Sequence, residues 1–155
     1  MKKNLKKELA KQWFKILQEI ICKNIEELEK NKILFKSEKW IRNKNKNEGG
    51  GESRLLKNGK IFEKVGVNFS EVYGKFPNEL KGKIPGTQKS RNFWASGISI
   101  VMHMKNPFVP AMHFNTRYIY TSYGWFGGGM DVTPCIQDKT LKKWFHSEIK
   151  KSCDK

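Results

Sequence analysis

Ser96-Gly97-Ile98-Ser99-Ile100-Val101-Met102-His103-Met104 and His113-Phe114-Asn115-Thr116-Arg117-Tyr118-Ile119-Tyr120-Thr121 are two extended segments separated by a turn containing Asn106-Pro107-Phe108-Val109-Pro110. The first is rich in Ile98, Ile100 and Val101, and the second alternates polar with apolar or aromatic groups, the period-two signature of a strand. The turn is too long for a two-residue hairpin. Upstream, Leu55, Leu56, Ile61, Phe62, Val65, Val67, Phe69, Val72 and Tyr73 also favour extended structure, and Asn58-Gly59 marks a hairpin turn. Phe76 to Arg91 holds Pro77, Pro85 and several glycines, which predicts an irregular connection.

Helices flank this region. Leu5, Leu9, Trp13, Phe14, Leu17, Ile20, Ile21, Ile25 and Leu28 recur at three- and four-residue spacing, predicting an amphipathic helix with lysines on its outer face and a packing role. Trp40 and Ile41 close that region before a polar loop from Arg42 to Glu48. Asp138 to about Lys151 reads as a closing helix with Leu141, Trp144, Phe145 and Ile149 on its apolar face. Gly49-Gly50-Gly51 marks the change from helical to extended character, and Gly127-Gly128-Gly129 breaks the strand pattern. Each run reads as a flexible loop or as a place where backbone approaches a bulky ligand, and neither matches a Walker or dinucleotide fingerprint. The expected fold class is α+β, an antiparallel β-sheet flanked by helices, in one domain over residues 1–155: a helical region and loop (1–48), a strand-rich core (49–135) and a helix (138–152).

Composition narrows the function classes. With 37% hydrophobic residues the chain is too apolar for a disordered polymer. Its mean hydropathy of -0.69 comes with no apolar run near the roughly 18 residues of a membrane span, so a soluble protein is expected. Glu8 follows the basic N-terminus with no unbroken apolar stretch after it, which argues against a secretory signal. Cys22, Cys135 and Cys153 are widely spaced with no CxxC pair, fitting a reducing cytoplasm. The formal charge of +16 invites a nucleic-acid partner, but it is mostly lysine spread along the whole chain. A positive field would equally attract an anionic small molecule.

The candidate chemistry is concentrated between residues 99 and 146. His103 and His113 flank the proline-containing turn, and His146 is the third histidine; neighbouring strands could bring the first two together as metal ligands, or all three could be incidental. Arg117, beside Asn115 and Thr116, could hold a carboxylate through paired hydrogen bonds or be an exposed strand residue. Asp131, between the glycine run and Pro134, could accept protons from nitrogen donors in a buried loop, or cap the helix that follows.

Read together, five segments are more specific. Gly49-Gly50-Gly51-Glu52-Ser53-Arg54 and Phe62-Glu63-Lys64-Val65-Gly66-Val67-Asn68-Phe69-Ser70 resemble signatures of the oxygen-dependent coproporphyrinogen III oxidases. So do Ser99-Ile100-Val101-Met102-His103-Met104-Lys105-Asn106-Pro107, Val109-Pro110-Ala111-Met112-His113-Phe114-Asn115-Thr116-Arg117 and Trp125-Phe126-Gly127-Gly128-Gly129-Met130-Asp131-Val132-Thr133-Pro134. Lys105, Met112 and Thr116 are tolerable departures.

The resemblance implies oxidative decarboxylation of two propionates of coproporphyrinogen III to vinyl groups, giving protoporphyrinogen IX in haem synthesis. Molecular oxygen is the oxidant, and carbon dioxide and hydrogen peroxide are released. It implies His113 as general acid, Asp131 as acceptor of the pyrrole N–H groups, and Ser99, Asn115, Thr116 and Arg117 as substrate contacts. His103, His113 and His146 match positions of metal ligands in bacterial members, implying a divalent cation but no organic cofactor. A cytoplasmic homodimer with no nucleic-acid partner is the form implied for the full-length protein. The resemblance covers the N-terminal half of the family's fold, so a truncated sheet and a chain inactive alone are expected. The competing expectation is a basic non-catalytic module that binds RNA or a porphyrin.

Overall fold

The computed structural model describes residues 2–30, 33–43 and 45–154, with side chains from Leu5 onward. Lys44, in the predicted polar loop, and Met1, in the basic N-terminus, lie outside the described residues. Six strands, β1 (Lys36–Ile41), β2 (Gly49–Lys57), β3 (Phe62–Lys75), β4 (Asn92–Met104), β5 (Ala111–Tyr120) and β6 (Gly124–Thr133), form one antiparallel sheet in sequence order. Helix α1 (Lys2–Glu29) precedes them and α2 (Lys139–Cys153) follows. The α+β reading holds. The 76–91 connection is irregular apart from one 3₁₀ turn at Asn78–Leu80. Asp138 caps α2, accepting the backbone N–H groups of Thr140 and Leu141 at 2.8 and 2.9 Å. No helix among the described residues is long and apolar enough to cross a membrane.

Helix α1 lies on one face of β3, β4 and β5. Phe14, Cys22 and Ile25 meet Leu56, Val65, Val67, Ile98, Ile100 and Tyr118 in the core. Each large apolar side chain so buried contributes about 1.5–3 kcal/mol. Burial pushes the Cys22 thiol up to about 11, so it stays protonated and inert at neutral pH.

Two buried polar side chains fix how α1 sits. Gln18 donates to the carbonyls of Glu52 (3.0 Å) and Val67 (2.9 Å), spanning β2 and β3. Glu29, 1% exposed, accepts the backbone N–H groups of Lys60, Ile61 (3.1 Å) and Phe62 (2.7 Å) in the β2–β3 connection. That connection is the one marked by Asn58-Gly59. Asn58 takes a left-handed φ of 59°, and a Cβ on Gly59 would stand 2.2 Å from the Glu29 carboxylate.

Three expectations need correction. Residues 36–41, expected to close the helical region, form edge strand β1 against Gly50–Leu55 of β2. Their alternation carries no apolar face, so pairing is their only strand signal. The two glycine runs are not loops: Gly49–Gly51 pair with Ser70–Val72 and Gly127–Gly129 with Asn115–Arg117 inside the ladder. Cross-strand hydrogen bonding outweighs glycine's low strand propensity there. Finally, the apolar stripe of α1 splits. Phe14 and Ile25 are buried, but Leu5, Leu9, Trp13, Ile20 and Leu28 are 46–60% exposed, on an outer face expected to be lysine.

Glu29→Gln, which replaces an acceptor oxygen with an amide donor facing backbone donors, should cost about 1–3 kcal/mol, measured by chemical denaturation. An unchanged midpoint would remove Glu29 from its structural role. A second outcome concerns acid. Glu52 is held below the usual carboxylate range by hydrogen bonds from Arg54 (2.7 Å) and Ser37 (2.8 Å). Its contribution to stability is therefore present above the unfolded carboxylate value of about 4.3 and is lost as pH falls through the depressed folded value. Arg54→Met should flatten that acid limb of the stability profile.

Candidate functional site

Strand side chains alternate between faces, and directly paired residues share a face. On β4 the even positions Ile98 and Ile100 face α1, which places Ser99, Val101 and His103 on the opposite face. α1 packs on the even-position side instead, and α2 makes no extensive contact with any strand among the described residues. The ladder then sets three rows across β4, β5 and β6: Val101–His113–Asp131, Ser99–Asn115–Gly129 and Gly97–Arg117–Gly127. Five of the residues singled out from sequence (Ser99, His113, Asn115, Arg117 and Asp131) thus occupy one contiguous patch.

Within it, His113 Nδ1 stands 3.8 Å from Asp131 Oδ2, in ion-pair range but too long for a hydrogen bond. Both side chains are open, at 42% and 69% exposure, so their mutual attraction contributes at most about 1 kcal/mol and both remain free to meet a ligand. Arg117 Nη2 donates to Asn115 Oδ1 at 2.6 Å, which orients the guanidinium and leaves its other donors available. Gly97 and Gly127 flank Arg117 on the neighbouring strands. A Cβ on Gly97 would lie 2.8 Å from Arg117 Cβ and 2.6 Å from the Thr116 carbonyl, so only glycine lets β5 run this close with Arg117 in place.

Thr116 faces the other way. It pairs with Ile98 and shares the α1-covered side with Phe114 and Tyr118. Asp131 is in strand β6 rather than a buried loop, and the cap of α2 is Asp138. The histidines are spread over three elements. His103 shares the open face with His113, whereas His146 is on α2 beside a cavity of about 480 Å³ that Met104, Met112, Asp131 and Val132 also line. Among the described residues no three His, Cys, Asp or Glu side chains are grouped to hold a metal ion, so the three do not form a ligand set here.

Sequence reasoning missed residues of the same face on β2 and β3. Asn68 pairs with Ser99 and Ser53 pairs with Asn68, continuing the central row to Ser53–Asn68–Ser99–Asn115–Gly129. The alternation of β3 was legible, but its registry against β4 was not. Trp125, on the open-face side of β6, carries a buried indole N–H with no hydrogen-bond partner, the only such side-chain atom among the described residues.

The sequence profile of the family described as coproporphyrinogen III oxidase matches residues 9–155. Oxygen-dependent coproporphyrinogen-III oxidases of Rickettsia africae and Rickettsia felis are 45% identical over 153 residues, and that of Rickettsia typhi is 44% identical. Each alignment covers 96% of this chain and 55% of the relative, so the chain spans about half the length of the curated relatives it matches. With a profile match over nearly the whole sequence, and with five of the motif residues gathered on one sheet face, the chain belongs to the coproporphyrinogen III oxidase family.

Proposed function

We propose that this chain supplies the substrate-binding and proton-handling face of an oxygen-dependent coproporphyrinogen III oxidase. The reaction converts two propionates of coproporphyrinogen III to vinyl groups, with molecular oxygen accepting the electrons and leaving as hydrogen peroxide while each carboxyl group departs as carbon dioxide. The observation that carries the reading is the pair of adjacent rows His113–Asp131 and Asn115–Arg117 on an uncovered, glycine-rich face. A flat tetrapyrrole needs an open floor of small residues, a cation for its peripheral carboxylates and an anion for its central N–H groups.

Each residue then has a task. The oriented guanidinium of Arg117 binds a propionate through two parallel hydrogen bonds, and Ser99 and Asn115 contribute further donors. The Asp131 carboxylate accepts pyrrole N–H groups, favouring the electron-rich form of the ring that reacts with oxygen. His113, one strand away and 3.8 Å from Asp131, serves in this reading as the general acid toward the substrate. Thr116, on the helix side, supports β5 through packing rather than touching substrate with its side chain. The reduced compartment implied by three free cysteines is the cytoplasm.

The reading is tested by titrating the full chain with coproporphyrin III, the stable oxidised tetracarboxylate, followed by fluorescence. Arg117→Met and Asp131→Asn should each weaken binding about tenfold or more, in line with loss of a charge-assisted hydrogen bond. Gly97→Ala should weaken it comparably by displacing Arg117, with Lys23→Met on α1 as an unaffected control. Coproporphyrin binding that is absent in the parent, or that ignores these variants, would overturn the reading; RNA binding that falls steeply with salt and ignores the same variants would favour a lysine-driven nucleic-acid module instead.

A further inference from the structure

The open face does not end at β4. On the β1–β4 side it sinks into a second depression, a cavity of about 630 Å³ bordered by Lys36, Glu38, Ser53, Lys64, Asn68 and His103. All six are on the face that carries Arg117: Lys36 aligns with Leu55, Gly66 and Val101, Lys64 pairs with His103, and Glu38, Ser53, Asn68 and Ser99 form one row. The floor between is Gly66 and Val101, low enough for a ligand to rest on. Among the described residues neither Lys36 nor Lys64 is paired with a carboxylate, and the side chains of Ser53 and Asn68 have no hydrogen-bond partner in the protein. The third cation bordering the cavity, Arg54, is already engaged, pairing with Glu52 at 2.7 Å. Two unpaired ammonium groups, an amide and a hydroxyl around one concavity are donors awaiting an acceptor. Glu38, on the edge strand, is the single anionic group at the margin.

We propose that this depression is a second carboxylate-binding subsite, in which Lys36 and Lys64, with Asn68 and Ser53, hold a propionate on the side of the tetrapyrrole away from Arg117. The proposal rests on the tetrapyrrole reading above and adds to it where the far edge of the ligand is held. Lys64 and Arg117 are six residues apart along the sheet and two strands across, roughly 22 Å between their backbones at standard sheet spacing. One carboxylate cannot serve both. A ligand bearing carboxylates around a broad ring can, because the long Lys and Arg side chains close the gap from both ends. Two anchors also fix the ring's rotation over the His113–Asp131 pair, which one anchor leaves free.

The test uses the full chain and coproporphyrin III as probe, read by fluorescence titration at fixed ionic strength. The double variant K36M/K64M should bind about tenfold more weakly, and adding R117M should multiply the two losses, since anchors on separate carboxylates act independently. All three side chains are exposed or on the open face, and unchanged circular dichroism would show the fold intact. A parent that binds coproporphyrin III but is indifferent to K36M/K64M would overturn the subsite and leave the Arg117 reading standing. So would losses that fail to multiply with R117M, because both groups would then act on one carboxylate. A parent with no affinity for coproporphyrin III would overturn both.

Discussion

The rest of the structure depends on the contact between α1 and the β2–β3 connection. Glu29, at the end of the helix, accepts the N–H groups of Lys60, Ile61 and Phe62, and Gln18, three turns earlier, bridges the carbonyls of Glu52 and Val67. Both side chains are almost fully buried, where an unmatched polar atom is costly, so the helix has one well-satisfied way to lie on the sheet. Phe14, Ile25 and their partners supply the larger apolar contribution, but such contacts are non-directional and tolerate sliding. The polar pins select the placement.

That placement decides which face of the sheet is dry. With α1 over the even positions of β4 and β5, the odd positions are left to water, and they carry Ser99, His103, His113, Asn115 and Arg117. Polar side chains are tolerable there because solvent satisfies the groups that the protein leaves unpaired. The glycines flanking Arg117 keep the floor low there, and at Gly97 the lack of a Cβ lets the strands close tightly against Arg117. In a six-strand meander every functional row is also a hydrogen-bonded row, so the geometry of the site is inherited from a rigid scaffold rather than from loops.

The outer surface of α1 shows the converse. Leu5, Leu9, Trp13, Ile20 and Leu28 lie exposed along the helix, and β1 and β6 are both edge strands with one unpaired side. Such surfaces favour association. The stripe that reads as continuous in sequence is therefore divided, with Phe14 and Ile25 buried against the sheet and Leu5, Leu9, Trp13, Ile20 and Leu28 left exposed.

Much of this was legible without coordinates. Period-two alternation marked the strands, Asn58-Gly59 and the prolines marked the turns, three-and-four spacing marked both helices, and the ordered motifs from Gly49 to Pro134 identified the family, because these are local signals carried by neighbouring residues. Local signals also misled: β1 lacks an apolar face, and glycine runs resemble loops when their partner strands are unseen. What only the tertiary structure decided was registry and sidedness. Asn115, Thr116 and Arg117 are consecutive, yet Thr116 turns to the helix while its neighbours face the open side, and Lys36, Lys64 and Asn68 join that side from strands far away in the chain. Sequence shows that a strand has two faces. Which of them is buried is set by the pairing of distant strands and by where α1 finds its buried hydrogen bonds, and no single segment contains that information.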